Sequence, residues 1–160
     1  YPADYKSLEI KPSTTFAEAG DGLFAKDKLK KWSVLPPYRG KPLSVADLKR
    51  MKGTKDMDYV YCPSRDAGIL NLTASDMDQV IEESPATTFC VDGRTESRNN
   101  PTKYINSVKS KADCDKVNVK ICEFGDVAYF RTMKIVNPGQ ELIADYGGAY
   151  WEDFDGCPDV

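Results

Sequence analysis

Apolar residues recur along the chain in short runs, each closed by Pro, Gly, Asn or Asp. The clearest alternation is Lys116–Phe124. Val117, Val119 and Ile121 fall on one side, and Asn118, Lys120 and Cys122 on the other, which predicts a strand with one apolar face. Gly125-Asp126 then predicts a hairpin turn into Val127–Met133. Ser7–Lys11, Gly22–Ala25, Asp58–Cys62, Thr87–Asp92 and Gln140–Ala144 also read as strands. Ser33–Tyr38 is apolar too, but Pro36 and Pro37 lack amide donors, so it is expected as an edge or bulged strand. Val136-Asn137-Pro138-Gly139 is turn chemistry, because Pro fixes φ and Gly accepts positive φ.

Helical signals are few. Ser44 is a good N-cap for a helix through about Met51. Ser75–Glu83 reads as a short acidic helix or an insert. Asn100-Pro101 can start a helical turn through Tyr104-Ile105, and Ala149–Phe154 a terminal one. Strands and helices do not alternate, so a doubly wound sheet is not expected. The fold class is mainly β with minor α.

A chain of 160 residues, 41% hydrophobic and 29% charged, fits one globular domain with a real core. No apolar run approaches the ~20 residues of a membrane span, so no membrane partner is expected. The chain starts Tyr1-Pro2 without a methionine and is expected to be an excised domain or a processed product. A net charge of -3 argues against nonspecific nucleic-acid binding, which needs a basic face, and suits a basic partner. The five cysteines are odd in number and none has C-x-x-C spacing. They are expected as reduced, mostly buried thiols of an intracellular protein, with a cysteine-only zinc site as the lesser alternative. Histidine is absent, which removes Ser-His-Asp and Cys-His catalysis and histidine metal sites.

Four segments carry candidate chemistry. Gly20-Asp21-Gly22-Leu23-Phe24-Ala25 matches G-x-G-x-x-A. A dinucleotide site would need a helix next, and the chain turns proline-rich instead. What remains is a tight glycine turn, or one whose backbone approaches a small ligand. Tyr38-Arg39-Gly40 alone is a strand end, and Asn106 in Lys103–Ser107 alone is a turn residue. Tyr146, just past the strand in Gly139–Gly147, is alone a core aromatic with a wet hydroxyl.

Taken in order, AGDGLFA (19–25), YRG (38–40), FCVDG (89–93), KYINS (103–107), the strand with Asn118, YFRTMKI (129–135) and GQELIADYG (139–147) resemble a SET domain, the protein-lysine methyltransferase family. The YFRTMKIVNPGQEL run also looks like the PR-domain branch. The resemblance covers roughly Phe16–Phe154 of a single domain spanning 1–160. It implies a fold of several small β-sheets, β-clip-like, with the C-terminal motif packed near the active site.

It also implies methyl transfer from S-adenosylmethionine to a lysine amine, by an in-line displacement that rests on alignment and desolvation. The substrate would be a basic lysine-containing peptide such as a histone tail, and the location intracellular and nuclear. Gly20, Asp21, Gly22 and Leu23 match the first cofactor segment, and Asn106 the residue at the cofactor's amino-acid end. Ser107 stands where the family usually has histidine, at a position that meets the adenine through its backbone, and so counts with the cofactor-binding residues that the resemblance implies. Tyr146 matches the catalytic tyrosine, and Tyr38 a lysine-channel tyrosine with a catalytic part. Tyr104 fits as a further wall of the channel and cofactor site. Tyr150 and Trp151 match the aromatics that line the channel or the adenine pocket.

Two positions depart from the family pattern. Ala144 replaces an aromatic that often limits methyl number, which leaves room for higher methylation states. The post-SET zinc cluster is missing and no metal is expected, so the terminal segment, a homodimer or another partner would close the channel. The acidic stretch Asp145–Val160 is either a solvated tail or a means of steering a basic peptide. The rival function is a PR-like interaction module with weak or no catalysis. No direct nucleic-acid binding is expected.

Overall fold

The computed structural model describes residues 5–62, 87–95, 100–124, 127–146 and 154–158. In chain order its strands are β1 (Leu8–Pro12), β2 (Asp21–Ala25), β3 (Lys41–Ser44), β4 (Val60–Tyr61), β5 (Thr87–Asp92), β6 (Asn106–Ser107), β7 (Val119–Phe124), β8 (Val127–Thr132) and β9 (Ile143–Ala144). Among the described residues the α-helix is α1 (Val45–Met51). The segments expected at 75–83 and 125–126, and most of 149–154, lie outside the described residues. The chain divides into two compact units, Tyr1–Pro37 with Tyr104–Cys122 and Tyr129–Val160, and Tyr38–Lys103 with Glu123–Ala128.

The first unit is built around β2. On one side β2 pairs antiparallel with β1, Leu8 opposite Ala25 and Pro12 opposite Asp21. On the other it meets the stretch that follows the Asn137–Gly139 turn. Gly139 turns at a φ of 85°. Its N–H donates to Ala25 O at 2.8 Å, and Leu142 N–H donates to Leu23 O at 2.7 Å. Phe24 bridges Glu141. Only two residues of the expected strand, Ile143-Ala144, form a ladder, and they run parallel to β6. Phe16, Val108, Ile143 and Phe154 close a core cluster there.

The expected alternation over Lys116–Phe124 is corrected. A 3-10 turn fills Lys111–Lys116, and the strand starts only at Val119. Asn118, placed on the polar side by the pattern, is buried, while Ile121 is exposed. The reason is a pair of hydrogen bonds. Asn118 Nδ2 donates to Glu141 O and its Oδ1 accepts from Ile143 N, both at 2.8 Å. This side chain substitutes for a missing stretch of ladder beside β9, and a buried polar group so satisfied carries little penalty. β7 and β8 pair with each other, as the hairpin signal predicts. Ser33–Tyr38 forms no strand. A single bridge joins Val34 to Arg131, since Pro36 and Pro37 have no N–H to extend it.

The second unit holds an antiparallel sheet in the order β3-β5-β4. Ser44 caps α1 as expected. Its Oγ accepts from Asp47 N, and Asp47 Oδ2 accepts from Ser44 N, a reciprocal capping box. Leu43, Leu48, Met51, Cys62 and Cys90 make its core cluster.

The cysteine expectation is overturned. Cys62 bonds to Cys90 and Cys114 to Cys157, and Cys122 alone is a thiol. The spacings of 28 and 43 residues follow no local motif. Only the folded path of each unit brings these pairs within bonding distance.

Candidate active site

Three of the sequence motifs meet in the first unit. The 139–142 stretch lies against β2, and β9 against β6, so GQELIADYG is held between AGDGLFA and KYINS. In the parallel register Asn106 faces Ile143 and Ser107 faces Ala144. Tyr146 follows β9 directly and is fixed at both ends by the β6 segment. Its N–H donates to Ser107 Oγ at 2.9 Å, and its hydroxyl donates to the carbonyl of Ile105. Ser107 Oγ in turn donates to Val108 O at 3.0 Å. Ser107 is buried and its hydroxyl acts as a brace.

Glu141 is the residue that sequence reasoning missed. It is buried, with 7% of its surface exposed. Its carboxylate accepts from Ser13 Oγ at 2.8 Å, Thr14 N at 3.2 Å, Thr15 N at 3.0 Å and Asn106 Nδ2 at 3.1 Å. Burial pushes its pKa up, but the hydrogen bonds from Ser13, Asn106 and Thr15 outweigh this, and the net direction is down. The carboxylate therefore stays ionised. The available signal was an acid between a turn and the apolar pair Leu142-Ile143. Its partner Ser13 carried none, standing 128 residues away.

Glu141 also sets the orientation of Asn106. The amide nitrogen of Asn106 donates to Glu141 and to Asp21 O at 3.2 Å. Both partners can only accept, so the nitrogen must face them. The Asn106 Oδ1 then points the other way, and no described residue donates to it. Gly22 lies against this pair. A Cβ there would run into the Glu141 carboxylate and crowd the Asn106 amide, so a larger residue would have to displace the hydrogen-bonded carboxylate. Gly20 turns at a φ of 78°, and Asp21 is exposed. Leu23 has its side chain fully buried and its carbonyl bound by Leu142. Ala144 is buried. Asp145 Oδ2 accepts from Cys157 N at 2.6 Å, so this acid of the C-terminal stretch anchors backbone. Tyr104 is half-buried at the end of the 3-10 turn Pro101–Tyr104. Tyr150 and Trp151 lie outside the described residues.

Tyr38 belongs to the second unit. Its hydroxyl donates to Tyr59 O, and its ring lies 6.3 Å from that of Tyr61, tilted by 56°. Asn100, fully buried, clamps the next residue. Its Oδ1 accepts from Arg39 N at 3.0 Å and its Nδ2 donates to Arg39 O at 2.6 Å. Asn100→Ala leaves both backbone groups unpaired and should cost about 2 kcal/mol. A thermal melt of the variant checks this.

A family model described as SET domain matches residues 20–147. The chain belongs to the SET-domain family. It is 25% identical over 150 residues to the mouse (Mus musculus) protein named histone-lysine N-methyltransferase PRDM16. The match covers 93% of this chain and 11% of that protein, so the chain spans about a tenth of its curated relative. Among solved structures, the methyltransferase domain of human PR domain-containing protein 2 superposes with a TM-score of 0.56 at 20% identity, over 89% of this chain and 78% of that one. ATXR5, solved with histone H3.1 mono-methylated on R26, gives 0.60 at 16% identity, over 92% and 60%. The ctPRC2 structure bound to S-adenosylmethionine gives 0.56 at 18%, over 92% and 15%. At these identities the structures establish the SET fold, in keeping with the small-sheet architecture expected from the motifs. S-adenosylmethionine is the methyl donor of the family.

Proposed function

We infer that this SET domain transfers a methyl group from S-adenosylmethionine to the side-chain amine of a lysine in a protein, a histone tail. The observation that carries the inference is the parallel pairing of β6 with β9. It places the Asn106 amide and the Tyr146 hydroxyl along one three-residue segment, 105–107. S-adenosylmethionine, when bound, supplies the methyl group on a sulfonium.

The residues at hand fit its amino-acid end. Asn106 Oδ1 can accept from an ammonium, with its amide held by Glu141 and Asp21. Gly20, Asp21 and Gly22 offer a turn with no side chain in the way at Gly22. In this proposal Tyr146 orients the attacking amine. Its hydroxyl donates to Ile105 O, which fixes the direction of the O–H at the end of the segment that carries Asn106. Tyr104 would wall the lysine channel in the first unit, and for Tyr38, Tyr150 and Trp151 the channel and adenine-pocket roles are those that the family resemblance implies. A lysine has an unperturbed pKa of about 10.4. An apolar channel lowers it and supplies the neutral amine that attack requires. Ala144 leaves room for more than one methyl. A histone substrate implies a nuclear location. The PRDM16 likeness and the histone H3 complex of ATXR5 support this substrate class.

One observation favours the rival, a PR-like interaction module: Ser107 replaces the usual histidine and spends its hydroxyl on Tyr146 and Val108. Calorimetry with S-adenosylmethionine and a mass-spectrometric assay over a histone-peptide panel decide between them. Cofactor binding with mass gains on a lysine is the expected result. No heat of binding and no product would leave the interaction module.

A further inference from the structure

Trp32 is the sole non-glycine residue with positive φ among those described, at 67°. A bulky residue in that conformation is rare and strained, and such strain persists only where the surroundings over-determine it. They do so here. Ser33 N–H and Oγ both donate to Lys30 O, at 3.2 and 2.7 Å. Thr132 Oγ1 donates to the same carbonyl at 2.7 Å and accepts from Ser33 N at 2.8 Å. Trp32 N–H donates to Thr132 O at 2.9 Å. Ser33 and Thr132 are buried beneath the turn. The turn thus holds a large aromatic at the surface, 41% exposed, where glycine would fit without strain.

Three cations converge on that ring. Lys31 Nζ lies 5.0 Å from its centroid, Lys120 Nζ 5.5 Å and Arg131 Cζ 5.5 Å. None of the three pairs with a carboxylate among the described residues. Arg131 Nη2 donates to Trp32 O at 3.4 Å, but its Nε is buried without a hydrogen-bond partner among the described residues. Lys28 and Lys30 add exposed positive charge on the same loop.

We propose that Trp32, Lys31, Lys120 and Arg131 form a binding site for single-stranded nucleic acid. An unstacked base lies on the exposed part of the indole, and backbone phosphates take the cations. Phosphate needs positive charge alone; the indole adds a platform that every base can use but that a duplex, with its bases stacked, does not offer. The net charge of -3 argues against nonspecific binding over the surface at large and gave the contrary expectation from the sequence, but it does not describe this patch. It averages over the whole surface, whereas a ligand meets the field within a Debye length, about 8–10 Å. The site is independent of the proposed methyl transfer.

The test uses the whole chain and a fluorescein-labelled oligothymidylate of about twelve nucleotides, followed by anisotropy between about 50 and 200 mM salt. Binding should weaken with salt at a log–log slope of about -2, as expected for three phosphates on a single strand. Trp32→Gly suits the backbone, keeps the fold and should weaken binding about tenfold. Lys120→Gln, an exposed change, should flatten the slope by about 0.7. Unchanged affinity in Trp32→Gly would overturn the proposal. So would equal affinity for a duplex, or equally good competition by a polyglutamate peptide, which would assign the site to acidic protein segments.

Discussion

Tyr146→Phe is expected to lower the rate of methyl transfer by roughly 10²–10³-fold, the range found when a preorganised hydrogen-bonding group is removed from a reacting centre. The change deletes one oxygen. Phenylalanine keeps the ring and the Tyr146 N–H bond to Ser107, so the segment after β9 stays in register with β6. The Ile105 carbonyl, however, loses its donor in a buried setting. That should cost about 1–2 kcal/mol, or a fall of a few degrees in Tm. Assays at 20–25 °C (about 298 K) on a variant of verified fold separate the chemical loss from this structural one. Calorimetry should find cofactor affinity nearly unchanged, because Asn106 is untouched, so the loss falls on kcat. Turnover within about threefold of the parent, below 0.7 kcal/mol in the barrier, would remove Tyr146 from the chemistry.

Glu141→Gln carries the second large effect. Four donors converge on the carboxylate from Ser13, Thr14, Thr15 and Asn106. Glutamine offers one acceptor oxygen and turns an NH2 toward donors that cannot receive it. A loss of about 3 kcal/mol is expected, since hydrogen bonds to a charged acceptor are the stronger kind and a buried unpaired donor pays its full desolvation. At about 2–4 °C per kcal/mol for a chain of this size, Tm should drop by about 6–12 °C.

The pH dependence distinguishes the ionised carboxylate from mere shape. Glu141 titrates below the ordinary glutamate value of 4.5 in the folded state. A depressed carboxyl pKa contributes stability that is complete above the unfolded value and is lost as pH falls through the folded one. Between about pH 5 and pH 3 the parent should therefore lose Tm faster than the variant, and the two curves should converge. Parallel curves over that window would mean that Glu141 is not held as the anion. Cofactor affinity is a second readout. Without Glu141 the Asn106 amide loses one of its two acceptors, so its Oδ1 is less firmly aimed.

The sequence alone determined what short-range chemistry decides. Ser44 announced α1 through its capping chemistry, and Val136–Gly139 announced a turn, because caps and turns involve neighbours in the chain. Short apolar runs bounded by turn residues located β2 and β5, and the Gly125-Asp126 turn signal located the β7–β8 hairpin, for the same reason. The ordered motifs carried the resemblance to the SET family and singled out Gly22, Asn106 and Tyr146 as candidates.

Tertiary structure decided who meets whom. Asn118 looked like an outward polar residue and became an internal clamp because β9 came to lie beside it. The cysteines looked like separate thiols and became two pairs across 28 and 43 residues. Glu141 looked like a strand position and became the acceptor for Ser13 across 128 residues. Trp32 was unremarked in the sequence until the fold gathered Lys31, Lys120 and Arg131 around its ring. Propensity and periodicity act within a few residues, whereas these partnerships depend on which distant segments the packed chain brings together.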